Sequence, residues 1–567
     1  MHINFSKTRH FSVLIVFCFL FAILLARLLY IQILRHTYLS DLADKQHKLF
    51  LRLEPQRGNV YDRRNRVLAI YMDAPSIYAV PKEISDKENS ALILAEKLDI
   101  DKEKLLRKFK KDNYFAWVKR KVDSETAGKI EELRMQGLYP MSEHKRFYPG
   151  GKLLCHVLGM TGIDNEGLEG IELYYDRELK GKPGWRLSSK DAKKREVVSF
   201  QRGFVPAREG KSIVLTLDEV IQHIIEKELE NLVRRYRPKA VSIVALDPAS
   251  GEILGLANYP WFDPNDISGV NASAVRNRAI TDSFEPGSVF KVVTASAALE
   301  EKIVDFDSEF YCENGAYKIG KRTLHDYRPY GTLKFREIIE RSSNIGTVKV
   351  AGKLGREKLA AYIKRFNFGE ATGIDLPGEA TGIMRNPSSW TPVDMTTIPM
   401  GQGIAVTALQ LASCVGVIAN GGVLMRPYVA KKLLDEEGNA VWKKKPDVIR
   451  RVISEETAGK VKRLLAGVIE RGTGRRARLE NFRACGKTGT AEKVNPKGGY
   501  YKQKYISSFI GFAPYERPAV ALAICVDEPR GEHFGSRVAA PAFKRIMEKI
   551  LPYMGVESDK GETGKSS

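Results

Sequence analysis

The sequence predicts a multidomain α+β protein in three parts: an N-terminal transmembrane helix, an elongated mixed α/β stalk module, and a C-terminal domain whose antiparallel sheet is flanked by helices. Three observations predict it. A single long apolar run, Phe11 to Leu34, stands near the N-terminus. From Arg35 to about Arg208, short β-like runs alternate with turn residues. Beyond that stretch, strand signals at both ends enclose a long helical middle, the order expected of a sheet whose strands come from both ends of a domain.

The anchor comes first. Residues 11–34 are apolar apart from Ser12, Arg27 and Gln32, and at ~1.5 Å per residue they cover a hydrocarbon layer of ~30 Å, with Arg27 able to snorkel. The stretch "LLARLLYIQ" offers no small-residue cleavage site, which favours an uncleaved anchor over a signal peptide. Lys7 and Arg9 before the span are matched by Arg27 and Arg35 after it, so charge gives little orientation. The 567 residues carry a net charge of +22, but the basic residues are spread along the chain without a basic and aromatic cluster, which argues against nucleic acid as a partner. Six cysteines are scattered with no C-x-x-C or Cys/His cluster and suit small buried hydrophobes better than a metal or redox site.

The stalk module, residues 35–210, contains two short helices, in "ENSALILAEKLDI" and "DSETAGKIEELRMQG". A boundary falls where a strand ending in Thr216-Leu217-Asp218 feeds an amphipathic helix. The C-terminal domain, 211–555, opens with a hairpin turning at Asp247-Pro248-Ala249-Ser250-Gly251 and closes with "RACGKTGTAEKV", "YISSFIGFAPYERPAVALAICVDEP" and a last helix. Residues 556–567 are expected to be a disordered polar tail.

The chemistry centres on "FEPGSVFKVVTASAALE". Ser288 and Lys291 share a face if Ser288 opens a helix after Pro286-Gly287, and the apolar surroundings bury the lysine. Burial disfavours the ammonium, and a second cation nearby would add to that effect. A neutral Lys291 can then take the Ser288 proton, while the helix N-terminus favours an oxyanion. Alone, S-x-x-K is a weak signal: Ser142-Glu143-His144-Lys145 is a second copy in a charged stretch with no apolar helix after it, and is expected at the surface. Two further elements add weight. Ser342-Ser343-Asn344 ends the helical "TLKFREIIE", and Lys487-Thr488-Gly489-Thr490 lies on a strand where alternation separates Lys487 from the threonines, with a twist or bulge at Gly489 as a way to bring them to one pocket.

S-x-x-K, S-x-N and K-T-G in this order resemble the motif set of the penicillin-binding serine acyltransferases and β-lactamases. "RGNVYDRRNRVLA" (57–69), "RFYPGG" (146–151), "GLEGIELYYDRELKGKPG" (167–184), "TGIDLPGEATG" (372–382) and "GQGIAVTALQLA" (401–412) extend the resemblance to class B penicillin-binding proteins, closer to the cell-division than to the elongation type. One departure is Arg64-Asn65, where the family has Asn-Gly; asparagine tolerates a left-handed turn.

The resemblance implies a penicillin-binding/β-lactamase-like catalytic domain, a dimerisation-like stalk, a cytoplasmic N-terminus (1–10), and an extracytoplasmic enzyme on the bacterial plasma membrane. It implies Ser288 as the acylated nucleophile, Lys291 as its base, Ser342 as proton relay to the leaving amine and Asn344 as holder of Lys291 and the substrate amide. Lys487 would add positive charge, with Thr488, Gly489 and Thr490 binding the carboxylate end of a D-Ala-D-Ala stem peptide. The N–H groups of Ser288 and Thr490 would form the oxyanion hole. No metal or cofactor is implied; β-lactams would enter the same path, and a polytopic glycan polymerase with other division proteins would be membrane partners. A β-lactam sensor or hydrolase, and a non-catalytic scaffold, are the rival readings. No glycosyltransferase motif is found in the stalk, and no repeat domain follows Met554, which disfavours sporulation types with an extended tail.

Overall fold

The structure, a computed structural model, describes residues 4–40, 48–111, 113–190, 196–197, 204–319 and 322–559. The expected tail therefore lies outside the described residues from 560 onward. Contacts divide the chain into two compact units, residues 1–55 with 181–209, and residues 56–180 with 210–567.

In the first unit, helix α1 (Asn4–Leu29) continues as a π-helical turn, Tyr30–Leu34. Arg9–Leu34 is long and apolar enough to cross a membrane. At its C-terminal end the guanidinium carbons of Arg27 and Arg35 each lie 5.5 Å from the Tyr30 ring centroid, the aromatic and cationic mixture that suits a headgroup layer. A small antiparallel sheet pairs Lys48–Leu53 with Gly184–Lys190, which also pairs with Phe204–Val205.

The second unit begins with the module residues. Both expected helices form, Lys87–Leu98 and Ser124–Glu132, each capped by an aspartate (Asp86, Asp123), and a third, Lys102–Lys110, lies between them behind Asp101. They cover a three-stranded sheet around Phe109 and Leu94. The second S-x-x-K copy falls between two strands of different sheets, Leu138–Met141 and His144–Phe147, with Ser142 and Lys145 exposed, as expected. The Asp-Arg-Arg-Asn turn also survives: Asn65 adopts φ +64°, and Asp62 accepts hydrogen bonds from the backbone N–H of Arg64 and Arg66, 2.8 Å each.

Three separate motifs meet in one buried ion cluster. Arg57 Nε and Arg146 Nε each lie 2.6 Å from a different oxygen of Glu172, and Arg57 reaches Asp176 at 2.6 Å. Glu172 is fully buried, so each charge there depends on the others. Strand Val60–Tyr61 lies parallel to Ser212–Leu215, which pairs in turn with Ala430–Leu434, so one sheet draws strands from the module and from the C-terminal region.

The central sheet holds β1 (Ala240–Leu246), β2 (Ile253–Tyr259), β3 (Cys485–Val494), β4 (Tyr500–Ala513) and β5 (Val520–Asp527) in the order β2-β1-β5-β4-β3, antiparallel throughout. The predicted hairpin β1–β2 forms, with Gly251 at φ +80° in its turn. Strands β1, β5 and the second half of β4, 506–513, are buried along their length because helices cover both faces. One face packs on α2 (Glu219–Tyr236) and the last helix, Ala539–Tyr553; the other packs on the helical middle, where Lys291–Glu300, α3, is buried from Lys291 to Leu299. The sheet ends at β3, whose outer edge is left for the site.

Candidate active site

Three segments converge on the edge of β3. The first is a 3-10 turn, Gly287–Phe290, followed by α3 from Lys291. The sequence expectation placed Ser288 at the start of an α-helix; it lies instead in this tighter turn. The consequence is favourable, because i and i+3 eclipse in a 3-10 helix and so line up Ser288 with Lys291. Gly287 turns at φ +58° with its N–H donating to the Gly401 carbonyl at 2.9 Å, a conformation open to glycine.

The second segment is the break between α4 (Phe335–Arg341) and α5 (Asn344–Leu354). Ser342 caps α4 in the left-handed region, φ +59°, ψ +39°, and Ser343 caps α5 with its hydroxyl accepting from Gly346 N–H at 2.9 Å. A non-glycine residue at positive φ holds its side chain away from both helix axes, and here it delivers the Ser342 hydroxyl between two lysines.

The third segment is β3. Its register with β4 runs unbroken from Cys485 opposite Phe512 to Glu492 opposite Tyr505, and the irregularity comes only between Glu492 and Val494. The bulge considered at Gly489 is therefore absent. A Cβ at residue 489 would lie 2.3 Å from Ser508 Oγ, 2.9 Å from Val289 Cγ1 and 3.1 Å from the Pro286 carbonyl oxygen. Glycine is required there because the Ser288 turn packs directly onto the strand.

These segments place four of the expected residues, Asn344, Lys291, Ser342 and Lys487, in one hydrogen-bonded chain. Lys291 Nζ donates to the Ser342 carbonyl at 2.7 Å, to Asn344 Oδ1 at 2.8 Å and to Ser342 Oγ at 3.3 Å. Lys487 Nζ donates to Ser342 Oγ at 2.9 Å and to the Thr488 carbonyl at 3.1 Å. Ser288 is half-buried in the turn just before Lys291, and its hydroxyl makes no hydrogen bond among the described residues. Thr488 Oγ1 lies 2.8 Å from Thr473 Oγ1, and Thr490 Oγ1 accepts from Gly535 N–H at 3.0 Å. The threonine hydroxyls thus bond to other partners than the lysine, which meets Ser342.

Both lysines are fully buried. Burial pushes the Lys291 ammonium down to about 7, against the opposing pull of the Asp326 carboxylate. Burial and then the Lys291 charge hold Lys487 well below the ordinary lysine range.

Asp326 is a residue that the sequence reading missed. It accepts from the Ser343 hydroxyl at 2.6 Å, from Asn344 N–H and from Ile345 N–H at 3.2 Å, so it fixes the break that presents Ser342 and Asn344. His325 adds its carbonyl, which receives Asn344 Nδ2 at 3.0 Å. Thr473 was also missed. Both lie in turn-rich stretches, "LHDYRPYG" and "ERGTGRR", where no periodicity marks a side chain as inward.

Comparison with known proteins agrees with this geometry. Residues 241–548 match the penicillin binding protein transpeptidase domain, and residues 52–215 match the penicillin-binding protein dimerisation domain. The chain is 37% identical to stage V sporulation protein D of Bacillus subtilis, over 99% of this chain and 88% of that protein. It is 31% identical to peptidoglycan D,D-transpeptidase FtsI of Escherichia coli, over 99% and 95%. A crystal structure of penicillin binding protein 3 from Mycobacterium tuberculosis, complexed with aztreonam, superposes with a TM-score of 0.71 at 27% identity, covering 90% of this chain and 98% of that one. The chain belongs to the penicillin-binding protein transpeptidases, serine-type peptidoglycan D,D-transpeptidases that carry a dimerisation domain ahead of the catalytic one.

Proposed function

We propose that this transpeptidase works through a Ser288 acyl-enzyme, with Lys291 as the base that removes the hydroxyl proton. The observation that carries the proposal is the hydrogen-bonded chain from Asn344 through Lys291 and Ser342 to Lys487, both lysines fully buried. A neutral Lys291 accepts the Ser288 proton as Oγ attacks the carbonyl of the penultimate D-alanine. The oxyanion is met by the N–H groups of Ser288 and Thr490. Ser342, bonded to both lysines, passes a proton to the departing D-alanine nitrogen, so that the C–N bond breaks and an ester to Ser288 remains. Thr488 and Thr490 receive the terminal carboxylate across the glycine that lets the nucleophile approach, with Lys487 behind Ser342. An amine from a neighbouring stem peptide then attacks the ester and returns the proton to Ser288. A β-lactam would enter at the first step and leave slowly.

Labelling with a fluorescent penicillin tests the reading: wild type gives one adduct on Ser288 by mass spectrometry, and Ser288→Ala gives none. Folded wild type without an adduct would support a scaffold, and fast release of hydrolysed benzylpenicillin would support a hydrolase.

The site is assigned to the outer side of the bacterial plasma membrane, with Arg9–Leu34 as a single-pass anchor, since the substrate lies there. Septal wall synthesis is the proposed duty, supported by the resemblance of the module motifs to the cell-division type and by the match to FtsI over nearly its whole length. Depletion should give filamentous cells, and rounded cells would indicate lateral-wall duty. The anchor and stalk, residues 1–210, are proposed to engage a polytopic glycan polymerase, to be checked by crosslinking the full-length protein in membranes.

A further inference from the structure

An open groove of about 740 Å³ lies between α4 and the turn at 471–475. Its walls are continuous with the site. Ser342 ends α4, and in the opposite wall Thr473 bonds Thr488 with its hydroxyl and the Glu340 carbonyl with its N–H, at 3.1 Å. Gly472 lets the walls meet, since a Cβ there would stand 2.1 Å from the Glu340 carbonyl oxygen.

The groove is cationic. Lys334, Arg336, Arg341, Arg471 and Arg475 line it against Glu337 and Glu340. Arg341 is matched to Glu337 at 2.7 Å and Arg471 to Glu340 at 2.6 Å. Lys334 and Arg336 share the single carboxylate of Asp307, at 3.1 and 3.3 Å. Arg475 is exposed and makes no ion pair among the described residues. Arg471 also meets Glu470 at 3.2 Å, so the five cations face four carboxylates and exceed them by one, Arg475, in a recess where opposite charge is concentrated.

We propose that this groove is the subsite for the acceptor strand, an acidic stem peptide with free carboxylates. The inference rests on the transpeptidase reading and follows from its stereochemistry. The departing D-alanine leaves on the side where Ser342 protonates its nitrogen and Thr488 holds its carboxylate. The incoming amine attacks the same ester carbonyl by the reverse path, so it occupies the position that D-alanine vacated. A C–N bond forms, the C–O bond to Ser288 breaks, and the amine proton returns to Ser288 Oγ by way of Ser342 and Lys291. The body of the acceptor extends beyond Thr488 and Thr473, into the groove. Arg336 and Arg475, the least neutralised pair, meet its carboxylates.

The test uses the full-length protein in detergent with a thioester donor and two acceptors, free D-alanine and an acidic stem tetrapeptide. For Arg336→Glu with Arg475→Glu, the KM for the tetrapeptide should rise at least about fivefold relative to that for D-alanine. Arg336→Gln with Arg475→Gln should give a smaller rise in the same direction, and 0.5 M salt on wild type should reproduce it. A tetrapeptide with amidated carboxylates should be insensitive to the charge reversal. Equal KM ratios in wild type and the charge-reversed protein overturn the proposal. Failure of the underlying reading is distinct, because wild type would then form no acyl-enzyme on Ser288 from the donor.

Discussion

The position of Lys291 predicts the pH profile of acylation. With the ammonium held at about 7, the neutral fraction rises from about one-tenth at pH 6 to about nine-tenths at pH 8, a change of about tenfold. A lysine at its ordinary 10.5 would instead gain about a hundredfold over that interval and keep rising past pH 9. The assay is the second-order rate of labelling by a fluorescent penicillin at low concentration, quenched and read on gels from pH 5 to 10, which reports the free enzyme. The curve should bend near pH 7 and be flat by pH 8.5. Asp326 raises the Lys291 value, so Asp326→Asn should move the bend to lower pH. A rate still climbing log-linearly at pH 9, or a flat profile, would refute a buried neutral lysine as base.

Three other outcomes follow from the same structure. The unfolded chain protonates Lys291 between about 7 and 10.5 where the folded chain does not, so its burial cost falls as pH rises through that window. Thermal melts should therefore show the stability gap between Lys291→Met and wild type shrinking by about 1.4 kcal/mol per pH unit from 7.5 to 9.5. Gly489→Val should cost at least about 1–3 kcal/mol and slow acylation more than tenfold, because its branches collide with Ser508, Val289 and the Pro286 carbonyl; unchanged labelling would contradict the close packing of the Ser288 turn on β3. Glu172→Gln should destabilise the protein by about 3–5 kcal/mol in chemical denaturation, since it leaves Arg57 and Arg146 buried without their shared carboxylate.

Much of the site was legible in the amino-acid sequence. The anchor is a run of apolar residues long enough to span a bilayer, a property of composition and length. The hairpin at Asp247 to Gly251 and the aspartate-capped helices are local, set by turn and cap chemistry within a few residues. Lys291 could be placed in a core because the residues around it leave no polar face, and the motif order identified its partners. In the same way Asn65 could be assigned a left-handed turn because its side chain tolerates one.

Only the tertiary structure decided how these pieces work together. The 3-10 turn at Ser288 depends on Gly401, and the requirement for glycine at 489 depends on Pro286 and Val289, all remote from those positions in sequence or on another segment. Asp326 offsets Lys291 and fixes the Ser342 break from a loop with no periodic signal, and the cationic groove arises from two segments more than a hundred residues apart. Hydrophobic periodicity and capping report which way a side chain faces within its own element. The charge it meets there depends on which distant elements pack against it, because desolvation and Coulombic interactions are set by distance in space.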